Sequence, residues 1–304
     1  MAQEAAVAEA VRRRSRWRVL AARLRAAVGR VARHPVYATS VALGVLRRPR
    51  LVREALRRGW RAALLGEAVR RCPAAGDLIS AYEAGFFGQV YLFDEYEVAR
   101  LPLPPRPTVL DVGANVGFFS WRAAEARPGA RILAFEPESG NHARLAALLH
   151  ALGIAAETPR CAVGARAGAA TLYLRNSVTH SLQADWHRDL DAGAGTERVD
   201  VTTVDAECAR RGIEAIDLLK IDTEGAEADV LAGAVEMLPR TAHVVLEYHS
   251  PERRDACLAL LRAAGFRCRH KAFWGLGAAG GAEGLLLCRR AGPRAGAAAA
   301  RPNG

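Results

Sequence analysis

The sequence predicts an α/β protein built on a doubly wound, mostly parallel sheet. From about residue 108, short apolar segments that end in polar residues alternate with segments of helical periodicity. Strands and helices in alternation place parallel strands side by side and cover both faces of the sheet with helices. A glycine-rich turn follows the first apolar segment, and in open sheets of this type ligands bind at the carboxyl ends of the strands.

Four apolar segments are predicted as the central strands because each is short, aliphatic and ends in a polar residue. They are Thr108–Gly113, Arg131–Glu136, Ile216–Asp222 and His243–His249. Further strands are predicted at Thr171–Arg175 and Arg198–Val204, and an antiparallel edge hairpin at Phe266–Phe273 and Gly284–Arg289.

The helices between the strands are predicted from apolar residues spaced three and four apart. They are Gly117–Ala126, Asn141–Leu152, Ala226–Leu238 and Pro251–Ala264. These elements make up a predicted body over residues 76–290. The tail at residues 291–304, rich in Ala, Gly and Pro, is expected to be disordered.

The first 75 residues are predicted as a basic helical arm. Residues 1–72 contain 18 Arg and 4 acidic residues, whereas the rest of the chain carries 25 basic and 28 acidic side chains. A first amphipathic helix is expected to end at Pro35, and a second to follow Pro49 with Val52, Leu56, Trp60 and Leu64 on one stripe. Two interpretations remain open: contact with an anionic membrane or polyanion, and packing on the protein itself or on a partner subunit of a homo-oligomer.

Composition disfavours two kinds of protein. The longest stretch without Asp, Glu, Lys or Arg is His34–Leu46, which is shorter than the roughly 20 residues of a membrane-spanning helix. The six cysteines are scattered without a C-x-x-C pair, so zinc knuckles are disfavoured and free thiols in a reduced compartment are predicted. We therefore expect a cytoplasmic protein, membrane-peripheral if the arm binds lipid.

The first candidate site is the turn in "TVLDVGANVGFFS". Gly113 and Gly117 bracket the turn, and Asp111 stands just before it. A dinucleotide site typically has the spacing G-x-G-x-x-G and directs a helix N-terminus at a pyrophosphate, which Asp111 would repel. The motif favours a cationic ligand such as S-adenosylmethionine and disfavours an NAD oxidoreductase, with an ordinary βα turn as the alternative.

The second candidate is Glu136 in "ILAFEPES", at the end of the next predicted strand. An acidic residue in this place can accept hydrogen bonds from both ribose hydroxyls of an adenosine. NAD enzymes use the same device, so Glu136 indicates an adenosine without naming the cofactor. The alternative is a solvated carboxylate at a strand end.

The third candidate is the stretch "IDLLKIDTEGAEADVL". Only two of the 43 basic residues are lysines, and one of them, Lys220, lies inside a strand that is predicted to be buried. Burying a charge is costly unless it is paired, and Asp222 and Glu224 alternate with Lys220 along the strand. Because lysine is a compact charge that fits a tight site, the pattern predicts an ion-paired lysine, with chance retention as the alternative.

The fourth candidate is "VVLEYHS", where Glu247 and His249 alternate at the end of another strand and so share a side. We expect them to meet Asp222 and Glu224 at one rim of the sheet. An imidazole beside carboxylates can act as a general base or help to bind a divalent metal, and a histidine that merely caps the strand is the alternative. His180, in the loop "RNSVTHSLQADW" that is expected to cover the site, is a weaker candidate.

Taken in order, these motifs resemble the FkbM family of S-adenosylmethionine-dependent methyltransferases. The resemblance rests on DVGANVG, FEP, DLLKIDTEGAE and LEYH and covers about Tyr91 to Lys271. It implies a class I methyltransferase (Rossmann-like) fold, with a seven-stranded doubly wound sheet and one antiparallel edge strand. It also implies methyl transfer, usually to a hydroxyl oxygen of a small-molecule natural product, a sugar or a glycolipid.

The resemblance further implies a set of site residues. Cofactor contacts carry over to Asp111, Gly113, Asn115, Gly117 and Glu136. The lysine–acid motif carries over to Lys220, Asp222, Glu224 and Glu227 without individual roles, and we assign Glu224 to the cofactor-binding set.

The predicted chemistry is direct displacement of the methyl group by an alcohol oxygen. His249 is the first choice of base, Asp222 or Glu247 orients it or binds a metal that acidifies the hydroxyl, and Lys220 fixes the acidic rim. Metal dependence is left open. Two rival functions also remain: an RNA methyltransferase whose basic arm follows the phosphates, and a protein that binds the cofactor without chemistry.

Overall fold

The computed structural model describes residues 48–175, 179–184, 195–272 and 283–292. Contacts divide the chain into two compact units, residues 1–53 and residues 54–304, and the candidate site lies in the second. The first predicted arm helix and residues 293–304 of the predicted tail lie outside the described residues. The domain boundaries at residues 75 and 290 stay a prediction.

Helical segments precede the first strand. They are α1 Pro49–Arg58, α2 Trp60–Arg71, α3 Ala75–Leu78, a turn at Ala84–Phe86, a π-helix at Phe87–Leu92 and a 3₁₀ turn at Val98–Arg100. The single helix predicted after Pro49 is instead two helices, because Gly59 stands between them at φ 89° and ψ 157°. Glycine adopts that conformation without the steric cost other residues meet.

The described part of the chain contains ten strands. They are β1 Thr108–Val112, β2 Arg131–Phe135, β3 Ala156–Glu157, β4 Ala162–Val163, β5 Gly168–Tyr173, β6 Thr196–Thr202, β7 Ile216–Ile221, β8 Thr241–Tyr248, β9 Phe266–Ala272 and β10 Gly284–Arg290. Five helices accompany them: α4 Phe118–Ala126, α5 Ser139–Ala151, α6 Val204–Arg210, α7 Glu227–Ala232 and α8 Pro251–Ala263.

Seven strands form one sheet in the order β3-β2-β1-β7-β8-β10-β9. All neighbours are parallel except at β10, which is antiparallel to both β8 and β9. This confirms the predicted seven-stranded, doubly wound α/β fold of the class I methyltransferase type. The antiparallel strand is second from the edge, because β10 turns back beside β8 and leaves β9 outermost.

The other three strands form a separate sheet in the order β4-β6-β5. The predicted strands near residues 171 and 198 therefore exist as β5 and β6, but they lie outside the main sheet. β4 also belongs to this small sheet, and the strand beside β2 at the edge of the main sheet is β3.

The helix predicted at Ala226–Leu238 is wrong in length, since α7 ends at Ala232. A Cβ atom on the next residue, Gly233, would lie 2.1 Å from the carbonyl oxygen of Gly164. The chain therefore passes too close to the segment after β4 for a side chain there. A 3₁₀ turn at Leu238–Arg240 then leads into β8.

Hydrophobic cores lie on both faces of the main sheet. Successive strand residues point to opposite faces, so Leu110 and Leu219 belong to one core, whereas Val109 and Leu218 belong to the other. Every residue of β7 is buried, Lys220 included. A strand buried on both faces reads as a continuous apolar run, which makes the lysine in it conspicuous.

The cysteine prediction is corrected by the β9–β10 hairpin. Cys268 and Cys288 lie opposite each other in its register and form a disulfide, with Cα atoms 4.0 Å apart. They are 20 residues apart along the chain, so no short sequence motif predicted the pair. The other four cysteines are free thiols: Cys72, Cys161, Cys208 and Cys257.

Among residues 48–175, 179–184, 195–272 and 283–292, no helix has both the length and the apolar character needed to cross a bilayer.

Candidate active site

A single cavity at the carboxyl ends of β1, β2, β7 and β8 gathers most of the predicted site residues. Those that line it are Gly113, Asn115, Glu136, His180, Lys220, Asp222, Glu224 and Glu247. Four predicted residues are not part of its wall: Asp111, Gly117, Glu227 and His249. The parallel register places the ends of these strands side by side, which is why residues far apart in sequence meet here.

Lys220 lies in the wall of this cavity and is paired with two aspartates. Its Nζ lies 3.2 Å from Asp111 Oδ1 and 3.5 Å from Asp222 Oδ2, and it donates a hydrogen bond of 2.6 Å to the carbonyl oxygen of Gly113. Burial lowers the pKa of Lys220, but Asp111 and Asp222 outweigh burial, so the pKa lies above its usual value. Lys220 therefore stays charged.

Asp111 supports Lys220 from inside the protein. Its side chain is fully buried, and its Oδ2 accepts a hydrogen bond of 2.7 Å from the Ser120 hydroxyl. Because Asp111 does not line the cavity, the expected direct contact with a cofactor is not what the geometry favours. The carboxylate instead holds the lysine that braces the turn at Gly113.

The two motif glycines serve close packing of the chain. A Cβ on Gly113, at φ 76°, would lie 1.7 Å from the carbonyl oxygen of Asp222. A Cβ on Gly117, at φ 94°, would lie 2.7 Å from Leu145 on α5. Gly113 lines the cavity, whereas Gly117 packs against α5 outside the cavity wall.

Glu136 presents a fixed carboxylate to the cavity. Its Oε2 accepts a hydrogen bond of 2.9 Å from the Asn115 backbone N–H, and its Oε1 accepts one of 3.0 Å from that of Glu138. Burial raises the pKa of Glu136 to about 7, although those backbone bonds oppose the shift. Each oxygen keeps a lone pair for a ligand hydroxyl.

Two residues of the cavity wall have unusual backbone angles. Asn115 and Glu224 have φ values of 50° and 51°, in the left-handed region that residues other than glycine seldom occupy. Such conformations are held in place by their surroundings and are concentrated at functional sites. Here they direct the Asn115 N–H at Glu136 and place the Glu224 carboxylate beside His249.

His249 lies among three carboxylates just behind the cavity wall. Its Nε2 is 3.4 Å from Glu224 Oε2 and 3.5 Å from Glu247 Oε1, and its Nδ1 is 3.4 Å from Glu227 Oε1. Burial lowers the pKa of His249, but the carboxylates, Glu224 foremost, outweigh burial and hold it well above the usual value.

The pKa values of two carboxylates beside His249 shift in opposite directions. Burial and the charge of Asp222 raise the pKa of Glu247 to about 7, against the opposing effect of His249. Burial also raises the pKa of Glu227, but the hydrogen bond and charge of His249 and the backbone hydrogen bond from Gly225 together outweigh burial, and the net shift is downward. Asp222, Glu224 and His249 each offer a ligand atom, and these atoms lie within 4.8 Å of one another.

Tyr96 is a site residue that sequence reasoning missed. It is buried, and its hydroxyl lies 2.9 Å from Glu247 Oε2 and 3.3 Å from Asp222 Oδ2. Burial, followed by the charges of those two acids, raises its pKa well above the usual value, so the hydroxyl keeps its proton. Tyr96 precedes the first strand and belongs to no motif, so no sequence pattern pointed to it.

The loop predicted to cover the site does so over its described part, residues 179–184. The Ser181 hydroxyl and the Gln183 amide donate hydrogen bonds of 2.6 Å to the carbonyl oxygens of Glu224 and Gly225, respectively. His180 and Leu182 line the cavity. The His180 Nδ1 accepts a hydrogen bond from the Arg175 backbone N–H, and burial lowers the His180 pKa.

The charges of the cavity wall decide what kind of ligand it fits. Five carboxylate residues and one lysine line it: Glu95, Glu136, Asp222, Glu224, Glu247 and Lys220. The lysine is already held by Asp111 and Asp222, so a diphosphate would meet mainly negative charge. A sulfonium or ammonium group with an attached adenosine fits this set of donors and charges, and Glu136 is placed to accept its ribose hydroxyls.

Comparisons with known proteins point to the same chemistry. A family model for the methyltransferase FkbM domain matches residues 111–268. The 31-O-demethyl-FK506 methyltransferase FkbM of Streptomyces tacrolimicus is 32% identical over 222 residues, covering 63% of this chain and 83% of that protein. The 2-O-methyltransferase NoeI of Sinorhizobium fredii is 28% identical over 180 residues, covering 54% of this chain and 72% of that one.

A solved rRNA methylase from Streptococcus thermophilus is also similar. It has a TM-score of 0.41 and 14% identity, covering 66% of this chain and 95% of that one, and a likeness this weak carries no argument about the site. The family model, in contrast, spans more than half of the chain. This chain belongs to the FkbM family of methyltransferases, and its cofactor is S-adenosylmethionine.

Proposed function

We propose that the protein transfers a methyl group to the oxygen of a hydroxyl on a small molecule, sugar or glycolipid. The observation that carries this proposal is that Asp222 and Glu247 line the same cavity as Glu136. An adenosine held at Glu136 and proton-accepting groups at the far wall are what transfer to a weakly acidic oxygen requires. The named O-methyltransferase activity of the two relatives supports the same reaction class.

The cofactor-holding residues follow from the cavity wall. Glu136 receives the ribose hydroxyls, and the backbone of Gly113–Asn115 borders the ligand. When bound, S-adenosylmethionine supplies a methyl group on a sulfonium, already a strong electrophile. The protein therefore acts mainly by positioning the acceptor and removing its proton.

Glu247 replaces His249 as the first choice of base. A base must come within hydrogen-bond reach of the acceptor hydroxyl. Glu247 lines the cavity, whereas the His249 ring lies behind the wall and contacts three carboxylates. In this proposal Glu247 takes the proton, Tyr96 positions Glu247, and Lys220 fixes Asp222.

The test uses S-adenosylmethionine with a trideuterated methyl group. The full chain is incubated with macrolide alcohols, methyl glycosides and lipid-linked sugars, and the products are read by mass spectrometry and by NMR of the new methyl group. We expect a deuterated O-methyl ether on at least one class of acceptor. Glu247→Gln is expected to lower its formation by a factor on the order of 100.

Asp229→Asn is the matched control, because Asp229 is an exposed acid on α7 and does not line the cavity. It is expected to keep full turnover. Label in total RNA, with none on the hydroxyl panel, would contradict the proposed function. Full turnover in Glu247→Gln would contradict the assignment of the base alone.

A further inference from the structure

The cluster formed by Asp222, Glu224 and His249 has features that acid–base chemistry alone does not require. Asp222 ends β7, Glu224 lies in the following loop and His249 follows β8, yet one ligand atom from each lies within 4.8 Å of the others. Two carboxylates and an imidazole form a donor set that divalent cations such as Mn²⁺ and Zn²⁺ accept.

The His249 ring is oriented as a metal ligand would be. Its Nδ1 faces Glu227, which is 1% exposed and is itself held by a hydrogen bond of 2.7 Å from the Gly225 N–H. A carboxylate on one ring nitrogen fixes the tautomer and leaves the other nitrogen as the ligand. That other nitrogen, Nε2, is the one that faces Glu224 and Glu247.

The separations in the cluster favour an ion between the ligands. His249 Nε2 is 3.4 Å from Glu224 Oε2. Two ligand atoms that are each about 2.1 Å from one ion at a tetrahedral angle are about 3.4 Å apart. The observed distance therefore suits two atoms that share a cation.

The charge balance gives an independent reason. Five acids surround Lys220 and His249 at this rim: Asp111, Asp222, Glu224, Glu227 and Glu247. Even with both basic side chains charged, the acids are in excess. The second carboxylate oxygen of Glu227 is buried and has no hydrogen-bond partner among the described residues. Buried carboxylates that are incompletely paired are costly, and a divalent cation would offset that cost.

We propose that Asp222, Glu224 and His249 form a divalent-cation site at the inner wall of the cavity. The catalytic role of the ion rests on the proposed hydroxyl methylation, whereas binding of the ion does not depend on that proposal. Because Asp222 and Glu224 also line the cavity, the open positions of the ion face the acceptor.

The ion would act as a Lewis acid on the acceptor hydroxyl, without a change in its own oxidation state. The O–H bond breaks and its proton goes to Glu247. The oxygen forms the new C–O bond with the methyl carbon as the C–S bond breaks, and the electron pair of that bond stays on sulfur. The products are the methyl ether and neutral S-adenosylhomocysteine.

Binding is measured without any acceptor. The full chain is stripped with a chelator, dialysed and titrated with Mn²⁺, and free Mn²⁺ is followed by electron paramagnetic resonance. We expect one Mn²⁺ per chain, with at least tenfold weaker binding in Glu224→Gln and in His249→Ala. Asp229→Asn, an exposed acid two residues from Glu227, controls for loss of surface charge and is expected to bind like the unmodified protein.

His249→Ala is the variant most exposed to misfolding, since the ring is buried. Glu224→Gln keeps the test decisive, because the Glu224 side chain is partly exposed and glutamine has nearly the same shape as glutamate. Circular dichroism verifies that both variants fold. No stoichiometric Mn²⁺ binding, or equal binding in Glu224→Gln and the unmodified protein, would overturn the site.

The two proposals fail in different ways. Stoichiometric Mn²⁺ binding that depends on Glu224, with no hydroxyl acceptor methylated, would support the site and contradict the proposed reaction. Full hydroxyl methylation by protein shown by elemental analysis to hold no metal, after chelator treatment, would support the reaction and contradict the site's role in it.

Discussion

At the scale of single residues, Lys220 explains why one lysine persists in a chain that otherwise uses arginine. Its Nζ fits between Asp111, Asp222 and the carbonyl oxygen of Gly113. A guanidinium is broader, planar and unable to act as a compact point charge. The sequence predicted the pairing of Lys220 with Asp222. It did not predict the pairing with Asp111 on the neighbouring strand β1, because the register between strands cannot be read from a linear pattern.

Lys220→Arg is expected to be a damaging change despite keeping the charge. The larger group overpacks a buried site, which typically costs about 1–3 kcal/mol, and it displaces the turn at Gly113. We expect at least a tenfold loss of turnover and a lower midpoint of thermal unfolding. Lys271→Arg, in the edge strand β9, is the matched control, and equal effects of the two changes would contradict the special role of Lys220.

Glu136 gives a prediction about pH. Burial raises its folded-state pKa to about 7, from the ordinary value of 4.5 for a glutamate. Between those values the folded state binds more protons than the unfolded state, so the contribution of Glu136 to the unfolding free energy falls as pH rises. The full difference is on the order of 3 kcal/mol, at about 1.36 kcal/mol per pKa unit.

The measurement is urea unfolding of the cofactor-free protein and of Glu136→Gln at pH 5, 6, 7 and 8. Gln does not titrate, so the stability of the unmodified protein should decline relative to the variant across this range. Parallel pH profiles would show that Glu136 titrates normally. Glu136→Gln should also weaken S-adenosylmethionine binding, through the loss of an acceptor for a ribose hydroxyl.

Tyr96→Phe tests a residue that only the structure revealed. It removes the hydroxyl that contacts Asp222 and Glu247, and a hydrogen bond to a charged group is worth about 1.5–3 kcal/mol. We expect turnover to fall at least tenfold, since both acids lose a positioning contact. Tyr91→Phe is the control: it removes a buried hydroxyl that donates to Glu125, away from the cavity wall, and should cost stability but not turnover.

At the scale of elements, the alternation of strands and helices predicted four central strands of the main sheet and its edge hairpin, but not the short edge strand β3. What it could not predict was the sheet to which each strand belongs. β5 and β6 have the composition of ordinary strands, and only their pairing places them in the small sheet. The close approach of Gly233 to Gly164 just after α7 was also beyond the pattern, because the two residues are far apart in sequence.

The β9–β10 disulfide is testable at this same scale. Cys268 and Cys288 close a segment of 20 residues, and a closed loop of about that length contributes roughly 3 kcal/mol. A chain with both cysteines changed to serine should lose about that much unfolding free energy in urea. Thiol titration of the denatured, unreduced protein should find the four free cysteines, and six reactive thiols would show that the bond does not form.

At the scale of the whole molecule, charge is divided between two parts of the chain. The first 72 residues are strongly basic, and the remainder carries 28 acidic against 25 basic side chains. Acidic residues of that remainder converge on the cavity because the parallel strands end there together. Net charge summed over the sequence would have suggested a basic, anion-binding protein, which is the opposite of what this cavity offers.

This distribution predicts which ligands stabilise the fold. Binding to the native state alone adds about 2.7 kcal/mol when the ligand is at one hundred times its Kd. For a domain of this size, that raises the midpoint of thermal unfolding by roughly 5–10 °C. S-adenosylmethionine should produce such a shift, whereas NAD at the same concentration should not, because its diphosphate would face Glu136, Asp222 and Glu224. The scan is run in chelator so that bound metal does not contribute, and an equal shift with NAD would contradict the electrostatic account of the cavity.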